Sequence, residues 1–218
     1  MLFAGRKSEQ KRIIESLNDG KNVILSGKFG IGRTTLIKEI ANTMSVERKF
    51  VFVDFNQAPC RMSKILFKEL DLSAKRKYKK KLKYTSMRYL IANMGLSKRQ
   101  PPVIVLDNIA KITAHKKIFL RHLISEQNFQ FIAIADNFIP QEDLCVLKSL
   151  LIPFTILTLH NLKTKDVEIL LYYYTERYNF HWTNDYIHDL AKISDGYPLI
   201  LAELFRKKKP STAHEGNN

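Results

Sequence analysis

Five short apolar runs separated by helical periodicity constrain the fold of this chain more than any other feature. They are Asn22–Ser26 (NVILS), Phe50–Phe55 (FVFVDF), Val103–Asp107 (VIVLD), Phe129–Ala135 (FQFIAIA) and Phe154–Thr158 (FTILT). Most are apolar on consecutive positions, a pattern that suits strands buried on both faces of a parallel sheet. Helical patterns fill the gaps. Ser8 is placed to cap a helix through Leu17, with Ile13, Ile14 and Leu17 on one face. Further helices are predicted from Gly32 through Met44, over Met62–Leu70 and over Lys116–Ser125. Strands alternating with helices predict an α/β layered domain over residues 1–161. The remainder carries no strand pattern. Helices opening at Thr164 (itself the expected cap), at Asn184–Ile193 and at Tyr197–Lys207 predict a small helical subdomain over 162–209. Residues 210–218 are expected to fray.

The stretch GKFGIGRT, residues 27–34, stands between the first strand and a helix. It follows the phosphate-loop pattern G-x-x-x-x-G-K-[ST], with Gly27, Gly32 and Thr34 in place and Arg33 where the pattern has Lys. Glycines let the backbone N–H groups curl toward phosphate oxygens, and the next helix turns its positive N-terminus to the same charge. The candidate phosphate cradle is Gly27, Lys28, Phe29, Gly30, Ile31, Gly32, Arg33, Thr34 and Thr35. Arg33 keeps the positive charge in a longer, forked group, so the exchange is not conservative. Without a ligand the same stretch would be a glycine-rich strand–helix turn. A second motif is PPVIVLDN, residues 101–108, about 75 residues downstream. An apolar strand ending in Asp carries the Mg²⁺ ligand of P-loop NTPases, so Thr34 and Asp107 form the expected metal pair. The acid that often follows is here Asn108, which cannot act as a base. The fold expected is therefore a P-loop NTPase three-layer core, with a mostly parallel five-stranded sheet and a C-terminal helical lid.

The sequence resembles AAA+ ATPases and their STAND relatives in the order of its segments. These are LFAGRKSEQKRIIESL, VILSGKFGIGRTTL, VIVLDN, FIAIADN, ILTLHNLKTKDVEILL and ISDGYPLILAELF, together covering about residues 2–207. The resemblance implies ATP with Mg²⁺ as cofactors. It implies an adenine-facing role for the opening FxGR segment and for Pro198 of the Gly196-Tyr197-Pro198 triplet, and a sensor role for Asn137. Asp107, Asn108 and Asn137 are the catalytic positions so implied. The departures are equally specific. No arginine lies between Arg121 and Arg177, where the family's finger is expected, and Leu199 stands where many lids carry a sensor arginine. Arginine fingers contribute roughly 10³–10⁵ in rate. With Arg33 and Asn108 also altered, ATP hydrolysis is expected to be slow, and catalysis completed in trans by a partner is an alternative.

The net charge of +15 is concentrated in two stretches. Residues 72–100 hold ten Lys/Arg and no acid, and Arg206–Lys209 adds four more. In the first, Lys75, Arg76, Lys77, Lys79, Lys80, Lys81, Lys83 and Arg88 interleave with Tyr78, Tyr84 and Tyr89, and Met87, Leu90, Ile91 and Met94 share one helical face. Such a stretch predicts salt-sensitive binding to nucleic acid, with double-stranded DNA the expected partner. The same position relative to the strands contributes to DNA contact in the replication initiators and transposition regulators that the chain resembles. A solvated basic face, or a nuclear-localisation signal in a eukaryotic source, are the alternatives. The leading reading is a nucleotide-dependent switch or regulator on DNA. Its rival is a STAND-like scaffold that binds protein partners or a second copy.

No apolar run reaches the roughly 18–20 residues of a membrane span, and the N-terminus lacks a signal-peptide apolar region, so a cytoplasmic location is expected. Cys60 and Cys145 are far apart, without a metal-binding spacing, and His160, His181 and His188 lie at no metal-ligand spacing.

Overall fold

The structure is a computed structural model that describes residues 5–70, 83–92 and 100–208. Its elements run α1 (Lys7–Asn18), β1 (Asn22–Gly27), α2 (Arg33–Thr43), β2 (Phe50–Asp54), α3 (Pro59–Glu69) and α4 (Tyr84–Ala92). They continue with β3 (Val103–Ile109), α5 (Ala114–Ser125), β4 (Gln130–Ala135), α6 (Gln141–Leu150) and β5 (Phe154–Leu159), and close with α7 (Thr164–Arg177), α8 (Asn184–Ile193) and α9 (Pro198–Lys208). The chain divides into two compact units. One comprises Ser8–Phe29 and Arg33–Leu159. The other comprises, among the described residues, 5–7, Gly30–Gly32 and 160–208.

In the larger unit the five strands form one sheet in the order β2-β3-β4-β1-β5, and every pairing is parallel. Alternation along the strands explains why the inner strands β1, β3 and β4 carry continuous apolar runs. Ile104 and Leu106 of β3 and Phe131, Ala133 and Ala135 of β4 join a core with Met62, Leu66, Ile91, Phe119, Leu120 and Leu123 of the helices. The intervening Val23, Leu25, Val105, Ile132 and Ile134 are also buried. With side chains pointing alternately up and down, both faces of the inner strands are covered, as a parallel sheet requires, while Ile156 of the edge strand β5 stays 40% exposed. The loops at the carboxyl edge of such a sheet are where ligands gather.

The opposite edge is fixed by buried polar bonds. Arg48 donates to the Leu17 carbonyl at 3.1 Å and to Gln130 Oε1, while Gln130 Nε2 donates to the same carbonyl at 2.9 Å. Burial pulls the Arg48 guanidinium below the usual arginine range, partly offset by Glu47. Asn22 bridges two connections, donating to the Leu151 carbonyl and accepting from the Phe131 N–H, both at 2.8 Å.

The smaller unit has its own core, in which Val167, Leu171 and Tyr174 of α7 meet Ile187 and Leu190 of α8 and Leu201 and Phe205 of α9. Tyr174 stands 4.0 Å, ring to ring, from Phe205, and Trp182 packs against the same cluster. Tyr172 points outward, 41% exposed.

Several helix ends differ from expectation. Ser8 lies inside α1 and donates to Glu9 Oε2 at 2.7 Å, so it does not cap the helix. Thr164 is the first helical residue of α7, and Lys163 before it makes no side-chain cap bond. The threonines that do cap are Thr113, accepting from the Lys116 N–H, and Thr183, accepting from the Tyr186 N–H. α6 has no counterpart among the expected helices. Pro140 occupies its N-cap position, Glu142 and Asp143 sit in its first turn, and Asp143 Oδ2 accepts from the Ile112 N–H at 3.0 Å.

Candidate functional site

The site begins where β1 ends. Gly27 is buried, Lys28 and Phe29 are exposed, Ile31 is buried and Thr35 is exposed. Gly30 and Gly32 have φ of +73° and +90°, which L side chains seldom adopt. Gly30 is also needed for space, because a Cβ there would stand 2.8 Å from Cβ of Leu199. At Gly32 an added Cβ would meet nothing within 4 Å, so the loop opens onto free volume.

In the larger unit, α2 starts at Arg33, and two successive residues reach different strands. Thr34 Oγ1 lies 3.0 and 3.1 Å from the two carboxylate oxygens of Asp107 on β3. Arg33 turns instead to the end of β4, donating through Nη1 to the Ala135 carbonyl and through Nη2 to Asp136 Oδ1 at 2.7 Å. Asp136 was absent from the sequence-derived site. Its signal was there: an acid directly after the strand that pairs with β1, facing a loop whose compact Lys had become a forked Arg.

Asp107 sits in a break of the β3–β4 ladder. Leu106 pairs with Ala133 and Ile109 pairs with Ala135, so one extra residue of β3 is bulged out. Bulges re-aim side chains, and here Asn108 takes φ +60° while its N–H bonds the Asp107 carboxylate at 2.9 Å. Asn108 Nδ2 reaches Asp54 Oδ1 at 3.4 Å, and the same oxygen accepts from the Asn56 N–H at 3.0 Å. Beside them Lys116 Nζ lies 4.9 Å from the Phe55 ring centroid. Burial holds its ammonium below the usual lysine range, with Asp54 pulling the other way. Asn137 is exposed in the turn after β4.

In the smaller unit Arg6, buried and with φ +59°, donates to the carbonyls of Ile31 at 3.0 Å and His160 at 2.7 Å. Pro198 opens α9 and is half-buried.

Of the candidate DNA contacts, Lys83 is exposed. Arg88 is half-buried, its guanidinium 5.6 Å from the Tyr84 ring centroid and its Nε buried without a hydrogen-bond partner among the described residues. Met87 and Ile91 are buried and hold α4 to the core, as their shared face suggested. Lys75, Arg76, Lys77, Lys79, Lys80, Lys81, Tyr78 and Met94 lie outside the described residues.

A family model described as an AAA domain matches residues 17–147, from the end of α1 to α6. The chain belongs to the AAA domain family. Among curated proteins no sequence matches it. Solved structures share the fold of this AAA-domain protein. The Orc1 protein of Aeropyrum pernix, solved in complex with DNA, matches with a TM-score of 0.66 at 14% identity, over 98% of this chain and 63% of that one. The RuvB Holliday junction branch migration motor of Thermotoga maritima matches with a TM-score of 0.60 at 16% identity, over 94% and 61%. A STAND protein with a tetratricopeptide repeat sensor from Pyrococcus horikoshii matches with a TM-score of 0.57 at 18% identity, over 100% and 31%. The AAA-domain chain thus spans less than two thirds of each of these structures.

The fold is that of an AAA+ P-loop ATPase, and membership in the family implies nucleotide binding, usually with Mg²⁺. The residues present fit that pair. A hydroxyl and a carboxylate converge at Thr34 and Asp107, a hard oxygen donor set suited to Mg²⁺. No helix among the described residues is long and apolar enough to cross a membrane.

Proposed function

We propose that this chain is an ATP-dependent switch acting on DNA, with slow hydrolysis of its own. The observation that carries the reading is the Thr34–Asp107 contact, with Asn108 in place of a catalytic acid. ATP would contribute its phosphate charge and a bound Mg²⁺. Thr34 and Asp107 would hold the metal, and the loop backbone with Lys28 would face the phosphates. Pro198 would line the adenine side and Asn137 would sense the terminal phosphate. Asn108 can donate or accept a hydrogen bond but cannot take a proton from water at neutral pH, which supports slow turnover. Brisk hydrolysis by the purified protein, abolished by Asp107→Ala, would overturn that part.

The DNA reading draws on charge. The basic run from Lys75 to Lys83 has the composition of a phosphate-binding stretch. Fold relatives whose descriptions include DNA or a Holliday junction point the same way.

The test is duplex-DNA binding by fluorescence anisotropy without nucleotide, with ADP and with ATP–Mg²⁺, at two salt concentrations. ATP should tighten a salt-sensitive interaction. Neutralising Lys79, Lys80, Lys81 and Lys83 should flatten the salt dependence. No DNA binding in any state would overturn the DNA assignment and favour a protein-binding scaffold.

A further inference from the structure

The exchange of Lys for Arg in the loop has a counterpart outside the loop. Arg33 opens α2, and Asp136 directly follows β4, the strand paired with β1. The guanidinium spans two acceptors on adjacent residues, the Ala135 carbonyl and the Asp136 carboxylate. A fork can satisfy both from one plane, whereas an ammonium is a point donor on a shorter reach. The Arg33 side chain is only 11% exposed and that of Asp136 is 33% exposed, so the pair is partly shielded from water. Charge-assisted bonds of this kind are short and strong. Arg33 therefore has its charge compensated and its donors engaged before any anion enters the loop. A phosphate oxygen that draws on Arg33 must compete with a carboxylate already in contact.

We propose that Asp136 is a positioning residue that limits the affinity of the phosphate site. It holds Arg33 at the end of β4, and a nucleotide gains Arg33 only by displacing the Asp136 carboxylate. This rests on the nucleotide-binding reading above. The Arg33–Asp136 pair then acts as a threshold. A ligand with enough phosphate charge draws the guanidinium over, and a weaker anion leaves the pair closed.

The test is a double-mutant cycle read by isothermal titration with ATP–Mg²⁺ on wild type, Asp136→Asn, Arg33→Ala and the double variant. Asp136→Asn should tighten ATP about tenfold, the scale of one charge-assisted bond released. The same substitution should change affinity less than about twofold once Arg33 is Ala, within the additivity error of independent sites. An equal gain in both backgrounds would mean a general charge effect and would overturn the proposal. So would no gain, or a loss, in Asp136→Asn while wild type binds. If no variant binds ATP, wild type included, the nucleotide reading falls and the proposal with it. Should Asp136→Asn fail to fold, Asp136→Ser takes its place in the cycle. Independently, the Arg33 Nε–H resonance of the wild-type protein should shift on ATP–Mg²⁺ and saturate with the calorimetric Kd. A resonance unmoved at saturation would also overturn the proposal.

Discussion

Thr34 and Asp107 are 73 residues apart in sequence, yet the threonine hydroxyl lies 3.0 Å from the carboxylate across the end of an intervening strand. β4 lies between β1, which leads into Thr34, and β3, which carries Asp107, so the sheet order itself sets this distance. The contact brings together a hydroxyl and a carboxylate, the hard oxygen donors proposed to hold Mg²⁺. Mg²⁺ should therefore tighten ATP binding by the wild-type protein, and Thr34→Ala or Asp107→Ala should remove about tenfold or more of that gain. Titration calorimetry with and without Mg²⁺ measures it. Retention of the full Mg²⁺ effect in Asp107→Ala would place the metal elsewhere.

Asn108 is held at φ +60°, a region that Asn visits at small cost and β-branched residues resist. Asn108→Val should lower stability by about 1–2 kcal/mol, and Asn108→Gly should leave it nearly unchanged. Urea denaturation of both variants checks the pair of expectations. Asn108→Glu should raise basal hydrolysis, since a positioned general base contributes roughly 10²-fold or more.

His122 on α5 has its Nε2 buried without a hydrogen-bond partner among the described residues. Burial first, then the nearby Arg88 charge, pull its pKa below the ordinary 6.5, while Glu126 and a bond at the Arg88 backbone act in the opposite direction. A histidine harder to protonate when folded gives its full stability above the unfolded pKa and loses it as pH falls below that value. The denaturation midpoint should therefore drop as pH falls below about 6.5. His122→Asn should reduce that drop relative to wild type. An identical pH profile in the variant would count against the assignment.

Gly196 has φ +67°, and a Cβ there would stand 2.0 Å from the Leu162 carbonyl oxygen, which is backbone and cannot swing away. The Gly196 carbonyl meanwhile accepts from the Leu162 N–H at 2.8 Å. Gly196→Ala should destabilise the smaller unit by more than about 3 kcal/mol, combining clash and left-handed strain. Tryptophan fluorescence reports it, because Trp182 lies in that unit's cluster. A wild-type unfolding curve would contradict the contact.

Much of the fold was legible because both-face burial leaves a plain mark. Runs such as VIVL and FIAIA are apolar on every position, and a strand between two helical layers requires that. α6 was missed because QEDLCVLKSL carries few apolar residues in its first turn, and its start is set by Pro140 and by Asp143 bonding back to Ile112. The loop and Asp107 were visible as motifs. The partner of Arg33 was not, because the motif describes what Lys does, and the fork of Arg reaches acceptors on another strand. The bulge at Asn108 was equally hidden. Its cause is a count of residues between two ladder pairs, and only the pairing partner reveals that count. Ser8 and Thr164 were misplaced as caps by one or two residues, since a hydroxyl near a helix start does not say which residue first takes helical angles.

The place of β1 inside the sheet has a consequence for biogenesis. Val23 pairs with Ile132 and Asn22 pairs with Phe154, so the strand that carries the loop is flanked on both sides by strands made more than a hundred residues later. Pairing across such separations is slow, because a long loop must close before the contact rewards it. A nascent chain that has emerged only as far as α5 has its phosphate loop and its Asp107 but no β4 to set them side by side. The site therefore assembles only once β4 has emerged, and until then the strand that carries the loop lacks both of its neighbours.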